Sequence, residues 1–154
     1  HTFTGKFDAA LVEANRAIEL NPSDAVAYGL RGGVLMWTGR IAESIAASEA
    51  ARRFDPRPGA EGIFNLAFAY FLAGRYADAL SVAEAVLRRS PDLLFLQAVR
   101  AAAAAQLGNM DEARRAAGEV RRLDPFFKVD QFGNRLVNPD HRALAQEALR
   151  KAGL

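Results

Sequence analysis

The chain contains no cysteine. That excludes disulfides, thiolate nucleophiles and cysteine-based zinc sites, and it suits a reducing, cytoplasmic compartment. Histidine is almost as scarce, with only His1 and His141 present. Asp140 adjoins His141, but adjacent side chains on a helix point to different faces. His141 therefore reads as a surface or capping residue, and no transition-metal site is expected. Ser44, Ser48, Ser81 and Ser90 read as packing, surface or helix-terminal residues, so no Ser-His-Asp nucleophile is expected either. A Gly-rich phosphate loop is missing, because Gly29, Gly32 and Gly33 lie inside a helical pattern where they mark close packing. The formal charge of +2 is too small to point to nucleic acid. No apolar run approaches the roughly 20 residues that span a bilayer. The most apolar stretch, Ile63 to Leu72, is interrupted by Asn65. No signal peptide is visible, and a start at His1 instead of Met is what a cloning remnant or a fragment of a longer protein would show. The chain is not expected to be an enzyme, and no catalytic residue, metal or cofactor is expected.

What the chain does contain is a beat. Gly5, Gly39, Gly74 and Gly108 recur at steps of 34, 35 and 34, and Pro22, Pro56, Pro91 and Pro125 follow them at the same steps, each 17 residues later. A period of this length marks a solenoid of helical pairs, in which each repeat buries its apolar face on the next. Hydrophobic residues make up 51% of the chain. The many alanines permit close helix approach at little entropic cost.

The clearest unit spans Ile63 to Pro91. Ile63, Leu66, Ala67 and Tyr70 share one helical face. Gly74-Arg75 turns the chain, and Ala79, Leu80, Ala83, Val86 and Leu87 line a second helix that stops near Ser90-Pro91. Ala25 to Pro56 and Leu94 to Pro125 repeat the arrangement. The extra residue of the middle period falls in Arg57 to Gly62, a loop-prone segment that tolerates insertion. Phe7 to Leu20 reads as a second helix whose partner lies upstream, with His1 to Thr4 as that partner's tail and Gly5 as the turn. The expected layout is thus a partial repeat (1–22), three repeats (23–56, 57–91 and 92–125), and a connector with a capping helix (126–154). Asn138 is the expected N-cap of that helix, with Pro139 at its first position. Leu144, Ala148 and Leu149 should pack on the last repeat, and Gly153 should end the helix.

The order Ile63, Leu66, Ala67, Tyr70, Gly74, Tyr76, Ala79, Ala83, Val86, Pro91 resembles the motif of the tetratricopeptide repeat (TPR) family. Tyr28, Gly32, Leu35, Gly39, Ile41, Ser44, Ser48, Ala51 and Pro56 follow it with Arg31 at the leucine position. The third unit keeps mainly its small positions, Ala101, Ala104, Gly108, Ala113 and Ala117. The resemblance covers residues 5 to 125 and implies an all-α solenoid of antiparallel helix pairs, wound as a right-handed superhelix. It also implies a noncatalytic protein-interaction module. The tail, Asn138 to Arg142 and Leu149 to Leu154, is similar to the C-terminal repeat regions of bacterial class III nucleotide cyclases and winged-helix transcriptional regulators. That likeness implies a regulatory domain of a larger bacterial protein.

In this family the first helices line a concave groove. The positions that the resemblance places there include Met36 and Trp37, then Phe64, Phe68, Phe71 and Leu72, then Phe95. Phe64, Phe68 and Phe71 form a stripe at helical spacing. Two readings of the stripe stand together: internal packing, or an apolar groove for a protein or peptide segment. An open stripe would let Phe68→Glu abolish binding while leaving stability nearly intact. The same positions hold no Lys or Asn clamp for a terminal carboxylate, so no cation is expected in the groove. The arginine pairs at 52–53, 88–89, 114–115 and 121–122 read as a solvated outer face, three of them near helix C-termini, where cations suit the dipole. An uncovered face at Phe7 and Leu11 offers a route to a homodimer.

Overall fold

The computed structural model describes residues 2–154, with side chains from residue 5 onward. His1 lies outside the described residues. The chain forms α1 (Thr2–Leu20), α2 (Ala25–Trp37), α3 (Ile41–Phe54), α4 (Ala60–Leu72), α5 (Tyr76–Leu87), α6 (Leu94–Gln106), α7 (Met110–Leu123) and α8 (Pro139–Lys151). A single 3-10 turn, Val129–Gln131, lies in the connector before α8. No strand occurs among the described residues. The protein is a solenoid of helix pairs, α2 with α3, α4 with α5 and α6 with α7, closed by a capping helix.

Three of the four periodic glycines make the turns within the pairs. Gly39, Gly74 and Gly108 have φ of +87, +78 and +76°, a left-handed conformation that glycine adopts without a Cβ penalty. At each, the following N–H reaches back to close the helix end: Arg40 to Leu35 O at 2.9 Å, Arg75 to Tyr70 O at 2.8 Å, and Asn109 to Ala104 O at 3.0 Å. Gly5 departs from the expectation. It lies inside α1, which continues back to Thr2. Glycine permits a left-handed turn without compelling one, and holding it helical costs only about 1 kcal/mol. A second, smaller departure is the start of α4 at Ala60, so only the first half of the loop-prone segment is irregular.

Helix crossings are close because the contact positions are small. A Cβ on Gly32 would collide with Ser48 Oγ on α3 and sit 3.3 Å from Ser44 O. Ser44 Oγ in turn donates to Gly32 O at 2.7 Å, across the same crossing. Ala67 and Ala101 hold the equivalent positions in the next two pairs and are fully buried. Successive pairs are tied by polar contacts as well. Tyr70 on α4 donates to Glu49 on α3 at 2.6 Å, and burial together with that bond pushes the Tyr70 phenol up to about 12. In the last pair Arg100 Nε donates to Glu112 Oε1 at 2.7 Å, and Arg115 donates to Glu112 Oε2 at 3.0 Å. Burial disfavours the charged Glu112, but the hydrogen bonds from Arg100 and Arg115 outweigh it and hold the carboxyl below its ordinary range.

The capping helix starts as expected. Asn138 Oδ1 accepts from Asp140 N at 2.8 Å, Pro139 occupies the first turn, and Gly153 has φ of +106°. α8 buries Ala145, Ala148 and Leu149 and packs chiefly on α6. It also touches α4, and its start reaches Gly39, where His141 Cε1 lies 3.9 Å from the ideal Cβ position. The helix thus lies against the first helices of the pairs, on the inner layer. Arg121 near the end of α7 donates to Gly153 O and fastens the far end.

Candidate functional site

The first helices α2, α4 and α6 pack side by side. Helical spacing aligns their aromatic residues in one stripe. Trp37 ends α2, Phe64 and Phe68 sit on α4, and Phe95 begins α6. Ring centroids are 6.2 Å apart for Trp37–Phe64, 5.3 Å for Phe64–Phe68 and 6.2 Å for Phe64–Phe95. These are ordinary tilted aromatic contacts.

The tail supplies the other wall. After α7 the connector crosses the inner face and places Phe132 5.4 Å from Phe68 and 6.4 Å from Phe95. Gln146 of α8 holds this segment in place by donating to Phe132 O at 3.0 Å. Val137 N–H donates to Trp37 O at 2.9 Å, and the Arg135 guanidinium lies 5.0 Å from the Trp37 ring centroid, within cation–π range. Sequence reasoning treated residues 126–137 as a connector. Phe126, Phe127 and Phe132 stand out there as apolar in a stretch with no helical period, a signal of burial that does not say which face they cover.

Among the described residues, two cavities stand out on this face. One, of about 500 Å³, lies between α4, α6 and the connector, walled by Trp37, Phe64, Phe68, Phe95 and Phe132 with Glu61 and Asp92 also on its lining. The other, of about 590 Å³, lies between α1, α2, α3 and the start of α4, walled by Phe7, Val26, Leu30 and Trp37. They share Trp37, Glu61, Asn65 and Arg135 as common lining.

The structure divides the expected groove residues into two sets. Trp37 and Phe64 are half-buried and Phe95 is 56% exposed, and all three line the first cavity. Phe68 also borders that cavity but is only 1% exposed, covered by Phe132. Met36, Phe71 and Leu72 are buried in the core and line neither cavity. Phe68→Glu would therefore bury a charge in the core, the outcome that goes with the internal-packing reading of Phe68 rather than with an open stripe. The reason is tertiary: the strip that helical spacing aims at the inner face is covered by the folded-back tail.

The first-helix groove positions hold no cation, but cations reach the same face from other elements. Lys6 of α1, Arg52 of α3 and Arg135 of the connector all line the second cavity, and Arg135 the first as well. None of the three stands at a first-helix position: they come from second-type helices and the tail. Three other arginines of the pairs are tied to acids: Arg114 to Asp111, Arg115 to Glu112, and Arg122 to Asp92 at 2.7 Å and Glu119 at 2.9 Å. Among the described residues no group of three or more His, Cys, Asp or Glu side chains converges as a metal would require. No helix among the described residues is long and apolar enough to cross a membrane.

Comparison with known proteins supports the same architecture. Residues 60–93 match the family described as Tetratricopeptide repeat. A mouse protein, Tetratricopeptide repeat protein 28, is 24% identical over 152 residues, covering 96% of this chain. The chain spans only 6% of that relative's length. Among solved structures, YrrB, described as a TPR protein with an unusual peptide-binding site, superposes with a TM-score of 0.71 at 23% identity, over 97% of this chain and 77% of that one. MamA superposes with a TM-score of 0.74 at 18% identity, over 97% of this chain and 88% of that one. The fold is therefore of the tetratricopeptide type.

Proposed function

We propose that this chain is a noncatalytic interaction module that holds a segment of another protein on its inner face, with an apolar side chain of that segment seated in the cavity between α4 and α6. The observation that carries this reading is the cavity itself. Its volume of about 500 Å³ and its five aromatic walls fit the size and chemistry of sites that accept side-chain anchors. The likeness to a structure described as having a peptide-binding site adds support. A random peptide library displayed on phage and panned against the protein tests it. Selected peptides should share a large apolar residue. Phe95→Ala should weaken their binding about tenfold or more, while melting changes little because Phe95 is already half in solvent. Binding that ignores Phe95, or no selection at all, would refute the reading.

Two finer readings belong here. Membership in a larger regulatory polypeptide of a bacterial cyclase or transcription factor rests on the tail likeness, and the mass of the native protein decides it. The uncovered face expected at Phe7 and Leu11 is corrected, because Phe7 is buried and Leu11 half-buried; self-association through the N-terminal half repeat rests instead on Val12 of α1, which is largely exposed. The experiment in the next subsection reads it out.

A further inference from the structure

The second cavity differs from the first in chemistry. Its walls include exposed apolar residues, Val26 at 82% exposure and Leu30, both on α2. Beside them stand Lys6 from α1 and Arg52 from α3, neither of which makes an ion pair among the described residues. Arg135 enters from the connector and rests on Trp37. Asp55 and Glu61 are the acids on the same lining, and Asp55 Oδ1 already accepts from Arg57 N at 3.0 Å. The three cations and two acids leave this cavity net positive. The acids on the first cavity are Glu61, shared with the second, and Asp92, which is already paired with Arg122.

We propose that the second cavity takes an acidic residue, together with a neighbouring aliphatic one, of the same segment whose apolar anchor fills the first cavity. This rests on the function proposed above. The occupant is thus a segment with a large apolar side chain at one end and a carboxylate beside an aliphatic residue at the other. Lys6 and Arg52 attract the carboxylate, while Val26 and Leu30 cover the aliphatic neighbour. Carboxylates meeting unpaired cations across an interface fix register and speed association. Basic residues at the same position would meet Lys6 and Arg52 and be rejected.

Three synthetic pools of degenerate peptides test this. Each carries a fixed Phe as anchor and a fixed Leu, with either Asp/Glu, Asn/Gln or Lys/Arg beside the Leu. Binding is read by fluorescence anisotropy to the full chain, the K6Q/R52Q variant and the Phe95→Ala variant. The acidic pool should bind about tenfold tighter than the neutral one at low salt, and the advantage should shrink as salt screens it. K6Q/R52Q should lose that advantage and bind the neutral pool as before. Equal binding of all pools, or an acidic preference that survives K6Q/R52Q, would overturn the proposal. If no pool binds, or if the neutral pool ignores Phe95→Ala, the inner-face reading fails first. A concentration-dependent dimer in sedimentation that Leu30→Glu abolishes would assign the cavity to a second copy of the chain instead.

Discussion

Truncating Phe132 to alanine removes the side chain that joins the tail to the repeats. Phe132 is 6% exposed and packs on Phe68, Phe95 and Phe127. Phe→Ala changes in cores cost about 3–5 kcal/mol. The open cavity beside Phe132 lets water reach part of the vacated space, so the low end, about 3 kcal/mol, is expected. For a chain of this length that corresponds to a fall in melting temperature of about 6–12 °C. Repeats contact mainly their neighbours, so the loss should be felt unevenly. Hydrogen exchange should quicken first at Phe132, Leu136 and Val137, whose amides bond within the connector and to Trp37, while α2 and α3 stay protected. Phe126→Ala is the control. Phe126 is 86% exposed, and its truncation should change stability by less than about 0.5 kcal/mol. A Phe132→Ala protein melting within about 1 °C of the parent, with unchanged exchange across the connector, would show that the tail does not rest on the inner face.

Two further outcomes follow from the packing. Ser48 Oγ is buried without a hydrogen-bond partner, so Ser48→Ala should be neutral or stabilising by up to about 1 kcal/mol. Gly32→Ala should destabilise, and less so in the Ser48→Ala background; additive effects in denaturant titrations would refute the crowding at that crossing. Glu112 titrates lower in the folded chain than unfolded. Its contribution is therefore present above the unfolded carboxyl range and is lost as pH falls through the folded value. Glu112→Gln should be less stable by about 2 kcal/mol at neutral pH, and the gap to the parent should narrow on acidification below the ordinary carboxylate range. A gap independent of pH would refute the role given to the Arg100–Glu112–Arg115 contact.

Much of this molecule is written in single residues. Gly39, Gly74 and Gly108 mark turns because only glycine takes that φ freely. Prolines at 22, 56, 91 and 125 mark helix ends because they cannot continue the hydrogen-bond ladder, and Asn138-Pro139 starts a helix through local capping. Each acts within a few residues, so the period and the helix pairs are legible from the sequence. Gly5 shows the limit of that legibility, since a residue that allows a turn does not enforce one. What only the tertiary structure decided is which part of the inner face stays open. Phe132 and Arg135 carry no periodic signal, and their places on Phe68 and Trp37 depend on a chain reversal after α7. That reversal buries Phe68 and brings a cation to the shared wall of the two cavities. Burial and charge at a surface are sums over segments distant in sequence, and no local pattern encodes such sums.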